Sequence, residues 1–272
     1  MRSSYSTFAA RVCYSTLCLV AILGSAWAEE ANYSLWPRRP EALAEAARLA
    51  EQGKVSEALA SLEPLMARND VVGSEARDIA GTLRLRGILD PDRCPTEKYV
   101  VKRGDSWLKI ASKTKCPLDM IIHLNQLTNT GALQQGQVLK VYPLNFRVEI
   151  DVPQKQVVLY DGETFIKSYP IQSIRDNGQG NETTTVKAEQ AMADDRAVTA
   201  FAPEYASADK TIILAKPGLA IDFHKPGKAL RNGYYLSRED CNELSLLLRV
   251  GNEVSIVRKY EPKAPVAPAT EQ

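Results

Sequence analysis

Between residues 40 and 88 apolar positions recur three and four apart. "PEALAEAARLAEQGK" starts with a proline at a helix opening and stops at Gly53. "VSEALASLEPLMARND" and "VGSEARDIAGTLRLRGIL" continue the same period. Residues 36–90 are therefore expected to be helical. "DPDRCPTE" then breaks the pattern as a turn-rich linker. Residues 97–144 read strand, helix, helix, strand. Tyr99 to Val101 are β-prone, and Asp105 or Ser106 caps a helix with Trp107, Ile110 and Ala111 on one face. Pro117 opens a second helix carrying Leu118, Ile121, Ile122 and Leu124, and Gln137 to Tyr142 return as a strand. From Phe146 the period changes from three or four to two. "VVLYDGETFIKSYPI" reads as a hairpin, with "TTTVKAEQAMA" and "KTIILAKPGLAIDF" as further strand candidates. "SREDCNELSLLLRVG" is a short amphipathic helix capped by Ser237 and Asp240, and "NEVSIVRKY" is a last strand. The fold class expected is α+β and multidomain. The Pro- and Ala-rich tail 261–272 is expected to be disordered.

Composition alters this picture at the N-terminus. Arg2 and Arg11 flank "VCYSTLCLVAILGSAWA", and Ala26-Trp27-Ala28 is an A-x-A cleavage site. Residues 1–28 are expected to be a signal peptide cleaved after Ala28, the mature protein lying in the periplasm or at the cell wall. The apolar run is too short for a transmembrane anchor. Of 272 residues, 34 are Lys or Arg and 33 are Asp or Glu, a net charge of +1. So balanced a chain has no field for gathering phosphates, and nucleic acid is an unexpected partner.

Export governs the cysteines. Cys94, Cys116 and Cys241 remain in the mature chain. Cys94 and Cys116 flank a compact segment, and an oxidising compartment favours pairing them. That bridge would contribute roughly 3 kcal/mol in the chain-entropy model. The two histidines, His123 and His224, have no partners at metal-ligand spacing, so neither metal nor cofactor is expected. His123, between inward Ile122 and Leu124, is expected on the solvent side. Asp194 and Asp195 read as a solvated pair, and "IRDNGQGN" as a flexible turn.

Residues 97–144 resemble a LysM domain over their whole length, through "YVVKRGDS", "IA", "LNQL" and "QQGQVLKVYP". The resemblance implies binding to N-acetylglucosamine units of peptidoglycan in a groove between two loops, Gly104 to Trp107 and Gln126 to Gly131. Candidate glycan contacts are Gly104, Asp105, Ser106, Trp107, Gln126, Leu127, Thr128 and Asn129. Gly104 could equally serve only the turn, Asp105 the helix cap, and Trp107 or Leu127 the core. "EQGKVSEALASLEPLM" resembles part of a tetratricopeptide repeat, so the helical segment could also receive an envelope protein.

Residues 146–260 resemble the β-rich catalytic domain of L,D-transpeptidases at both ends, in "VEIDVPQKQVVLYDGE" and "LSREDCNELSLLLRVGNEVSIV". In that family the nucleophile lies in a Ser-His-Gly-Cys-x-Arg motif just before the closing helix. Aligned without a gap, this chain has Gly233 at the cysteine, Asn232 at the glycine and Tyr235 at the arginine. "NETTT" stands where the family has a Pro-Thr-Gly turn, and "HKPG" places Lys225 where a glycine follows the upstream histidine. Cys241 is in phase with Leu244 and Leu248, which points its sulfur at the sheet as a small hydrophobe. The expectation is a peptidoglycan-binding protein with a transpeptidase-like domain lacking its catalytic cysteine. The rival is an active cysteine transpeptidase working through Cys241 and His224.

Overall fold

Three helices open the described structure: α1 (Glu41–Glu51), α2 (Val55–Met66) and α3 (Val71–Leu89). The structure is a computed structural model, and it describes residues 41–128, 131–193, 196–200, 202–225 and 231–260. The expected signal peptide, the tail and the Asp194–Asp195 pair lie outside those residues. Leu43, Ala46, Leu49, Ala58, Leu62, Ala76, Ala80 and Leu83 form a core belonging to these helices alone. At the end of α1 the amide of Lys54 returns to the Leu49 carbonyl, 2.9 Å, with Gly53 at φ +77°. Asp70 caps α3 by accepting from the Gly73 amide at 3.0 Å.

The 97–144 segment follows. Strands β1 (Glu97–Val100) and β2 (Val138–Val141) pair antiparallel, with Glu97 opposite Val141. Between them run α4 (Trp107–Thr114) and α5 (Leu118–Leu124). Trp107, Ile110, Ile121, Leu124, Leu139 and Val141 are buried together. Each strand is four residues long: β1 starts two residues before the expected Tyr99 and stops at Val100, and β2 is two residues shorter than the expected Gln137 to Tyr142.

The rest is a ten-stranded sheet: β3 (Phe146–Asp151), β4 (Gln156–Asp161), β5 (Thr164–Pro170), β6 (Ser173–Arg175), β7 (Glu182–Ala193), β8 (Arg196–Val198), β9 (Asp209–Leu214), β10 (Ala220–Phe223), β11 (Gly233–Leu236) and β12 (Glu253–Val257). Their order is β5-β4-β3-β12-β7-β9-β10-β11-β6, with β8 on β7. Helix α6 (Arg238–Leu247) packs on β9 and β10, its first turn capped by Ser237, whose Oγ accepts from Asp240 N at 3.0 Å. "KTIILAKPGLAIDF" is two strands and a turn rather than one strand. The short strands β6 and β11 carry too few residues for an alternation to show in the sequence.

Edge strand β5 would be free to pair with another chain. Helix α3 covers it. A Cβ built on Gly81 would stand 2.8 Å from Cγ of Lys167 and 3.2 Å from the Ile166 carbonyl, so only glycine allows this approach. Arg84 donates to the Phe165 carbonyl, 2.5 Å, and lies 5.7 Å from the centre of that ring.

The expected flexible turn "IRDNGQGN" is instead tied down. The Arg258 guanidinium donates to Asp176 (2.5 Å), the Gly180 carbonyl and Glu182 (2.6 Å). Tyr234 also donates to Asp176, and Asn181 accepts the amide of Arg258 at 2.8 Å. Arg258 and Asp176 are 7% and 5% exposed at their side chains, so this is an interior ion pair.

Candidate functional site

The groove expected from the sequence is bounded by two exposed loops. In the first, the Asp105 amide closes a turn on the Lys102 carbonyl at 3.1 Å, and Gly104 is exposed. Asp105 itself points inward. Its carboxylate accepts from Lys113 Nζ (2.7 Å), the Lys102 amide (2.9 Å) and the Tyr99 hydroxyl (2.8 Å). Those donors, Lys113 first, hold its carboxyl well below the usual range. With three donors in place, Asp105 shapes the loop. The cap of α4 is Ser106, whose Oγ accepts from the Lys109 amide at 3.4 Å.

In the second loop Gln126 takes the left-handed region at φ +51°. It lets the Gln126 amide reach the His123 carbonyl (3.0 Å) and the Leu127 amide the Ile122 carbonyl (3.0 Å). Gln126 and Thr128 are exposed, while Leu127 is half-buried against the core. Asn129 lies outside the described residues. Trp107 joins the two loops: its ring is 2% exposed and Nε1 donates to the Gly131 carbonyl at 3.2 Å. A ring so placed is a wall beneath the groove, with no face open for stacking on sugar. The arrangement leaves Gly104, Gln126 and Thr128 presented to solvent over a fixed base. Neutral hydroxyl and acetamido groups suit such a surface, because backbone amides and small polar groups bond them without desolvating a charge.

One functional fixture went unpredicted. Asn125 donates to the Ile121 (2.8 Å) and Lys140 (2.7 Å) carbonyls and accepts the Lys140 amide (2.8 Å), pinning the end of α5 to β2. Its signal was the asparagine of "LNQL", next to the last helical leucine.

Cys94 and Cys116 are corrected by the structure: both are buried, unbridged thiols. Cys116 Sγ accepts the Tyr142 amide at 3.4 Å, and burial pushes its thiol up to about 12. It acts as a small interior hydrophobe that anchors the chain after β2, so packing does the work expected of the bridge. His123 is likewise corrected. It is half-buried, with Nε2 2.5 Å from the Leu89 carbonyl, because the end of α3 covers the face expected to meet solvent.

At the other candidate site, Cys241 is fully buried, its Sγ 3.3 Å from the Lys210 carbonyl and 3.9 Å from that of Ile221. Burial, then the Asp222 charge, push the thiol far above its ordinary value. His224 is exposed, so the structure does not present the two as a nucleophile and its base. At Gly233 a built Cβ would lie 2.4 Å from the Ala220 carbonyl oxygen. A side chain at this position would force the backbone of β10 or β11 to move. Among the described residues no group of three metal-binding side chains is gathered.

Residues 99–141 match the family model of the LysM domain. No curated protein matches the chain. Among solved structures it is similar to a mutant of the Enterococcus faecium L,D-transpeptidase, with 11% identity, 45% of this chain and 56% of that chain covered, and a TM-score of 0.31. L,D-transpeptidase 1 of Mycobacterium tuberculosis gives 10% identity, 45% and 67% coverage, and 0.31. An L,D-transpeptidase from Mycobacterium smegmatis gives 10%, 44% and 63%, and 0.30. The chain thus spans little more than half of the first of these structures.

The LysM segment is not a bead on a linker. His123 touches Leu89 of α3, Lys140 Nζ donates to the Pro91 carbonyl at 3.1 Å, and Asp119 of α5 meets Lys210 of β9 at 2.7 Å. No helix among the described residues is long and apolar enough to cross a membrane.

Proposed function

We propose that this is an exported cell-envelope protein that attaches to peptidoglycan through its LysM segment. The observation that carries this reading is the LysM match at residues 99–141 together with two exposed loops set on a common base by Trp107 and Gly131. Gly104, Ser106, Gln126 and Thr128 would face the N-acetylglucosamine units. Asp105, Trp107 and Leu127 would support them from beneath.

The β domain serves, on this reading, as a transpeptidase-like scaffold without a nucleophile. Supporting it are the glycine at position 233, crowded by the Ala220 carbonyl, and the depth of Cys241. The helical segment braces the sheet edge and leaves its outer helices for an envelope partner.

The test is co-sedimentation of the whole mature chain with purified cell-wall sacculi, with and without excess chito-oligosaccharide. Deleting residues 97–144 would confuse the result, because it strips Lys210 of its buried partner. Point changes in the loops, Thr128→Trp and Gln126→Trp, block the groove while sparing the core. Sedimentation lost to the competitor and to both variants is expected. Sedimentation unaffected by either would sink glycan attachment. Incubation with a carbapenem followed by intact mass measurement is expected to show no adduct; an adduct abolished by Cys241→Ala would establish the rival enzyme.

A further inference from the structure

The near-neutral total conceals a strong segregation of charge. Residues 97–144 carry seven Lys or Arg against three Asp or Glu, a net +4. Residues 41–96 carry seven against ten, and residues 146–260 fifteen against sixteen. Two of the three LysM acids are already committed: Asp105 to Lys113 at 2.7 Å, and Asp119 to Lys210 at 2.7 Å. Among the described residues Glu97, at the far end of β1, is the one acid of the segment without a lysine partner.

The surplus gathers at one wall of the groove. Lys102 and Arg103 directly precede the exposed turn at Gly104, and both are exposed. Lys109 is held there too, its ammonium donating to the Gly104 carbonyl at 3.0 Å. Among the described residues none of the three is in an ion pair. A neutral amino-sugar polymer offers nothing to three unpaired cations. An anionic group beside the sugar does, and the groove rim then gains attraction with little desolvation.

We propose that the LysM segment recognises an anionic substituent, a carboxylate or a phosphate, borne on an N-acetylglucosamine-containing chain, with Lys102, Arg103 and Lys109 as its contacts. This rests on glycan attachment and adds to it a requirement for charge. The sugar sits over the loops; the anion meets the rim at Gly104.

The probes are an uncharged chito-oligosaccharide, solubilised wall glycan with its peptide stems intact, the same glycan after amidase removal of the stems, and glycan treated with hydrofluoric acid to remove phosphate. Binding of the full mature chain is measured by calorimetry from about 20 to about 200 mM salt, across which the Debye length shortens several-fold. The substituted glycan is expected to bind about tenfold more tightly than the neutral oligosaccharide at low salt, the margin shrinking as salt rises. The double variant K102Q/R103Q is expected to lose that margin while keeping its melting temperature and its affinity for the neutral sugar. Loss of the margin on amidase treatment assigns the anion to stem carboxylates, its loss on acid treatment assigns it to phosphate, and a margin that survives both assigns it to the carboxylate that amide hydrolysis leaves on the sugar. Equal affinity for neutral and charged glycan, or a margin untouched by K102Q/R103Q, overturns the proposal and leaves glycan attachment standing. Failure of every glycan to bind overturns both. Equally tight, sugar-independent binding to vesicles of phosphatidylcholine and phosphatidylglycerol overturns it in favour of a lipid surface.

Discussion

Asp119 of α5 and Lys210 of β9 stand 91 positions apart in sequence and 2.7 Å apart in space, with side chains 5% and 6% exposed. Around them the Ser245 hydroxyl donates to Asp119 at 3.3 Å, the Tyr205 hydroxyl bonds the same carboxylate, and the Lys210 ammonium lies 3.6 Å from the centre of the Tyr205 ring. The pair fastens the LysM segment to the β domain through groups that have given up water, so each partner compensates the other's buried charge.

Removing one partner should therefore cost far more than removing both. Asp119→Ala and Lys210→Met are each expected to destabilise the chain by about 3–5 kcal/mol, the cost of an uncompensated interior charge. The double variant D119A/K210M should lose markedly less than the sum. Chemical denaturation of the three variants gives the coupling directly. Additive losses would show that the two side chains do not depend on one another.

Legibility in the sequence tracked distance along the chain. The strand-helix-helix-strand run, the Ser106 and Ser237 caps and the inward Cys241 are set by neighbours within one or two helical turns, and the pattern displays them. The Asp119–Lys210 and Arg258–Asp176 pairs join residues 91 and 82 positions apart, and no local period carries such information. His123 was misread for the same reason: facing away from its own helix's core, it meets α3. The bridge between Cys94 and Cys116 followed from compartment rather than geometry, and the interior holds both thiols without it. Of the groove, the loops were legible, while the inward roles of Asp105 and Trp107 required the contacts.

Glu189 gives the fastening a pH dependence. Its Oε1 is buried without a hydrogen-bond partner among the described residues. Burial, reinforced by the Asp119 charge and opposed by Lys210, raises its carboxyl well above the ordinary value. A carboxyl raised in the folded state favours folding fully below its unfolded value near 4.5, and that contribution is lost as pH rises through the folded value. Glu189→Gln should thus match the wild type at pH about 4 and exceed it at pH about 8, by about 1–3 kcal/mol. Melting curves across that range decide it; a constant offset at every pH would show that protonation is not involved.

Trp107 separates packing from bridging. Trp107→Phe keeps most of the buried ring and loses the Nε1 bond to the Gly131 carbonyl. About 1 kcal/mol of stability should go, against about 3–5 kcal/mol for Trp107→Ala. Sacculus binding should nevertheless fall in the phenylalanine variant, since the loop after α5 is released from the loop before α4. Unchanged binding with lowered stability would confine Trp107 to the core.

Gly233 offers the strictest trial of the β domain's chemistry. On the proposed reading, Gly233→Cys would supply the thiol that the β domain lacks at this position. The geometry opposes it. The new Cβ would lie 2.4 Å from the Ala220 carbonyl oxygen, a backbone atom held in the β9–β10 ladder, where Ala220 pairs with Ile213. Either β10 or β11 must shift, at a cost of about 1–3 kcal/mol for overpacking. Gly233→Ala should lose a comparable amount, because the clash begins at Cβ and not at the sulfur. Neither variant should gain a carbapenem adduct by intact mass. A stable G233C protein acylated stoichiometrically at that cysteine would show that the β domain can receive an acyl group at this position.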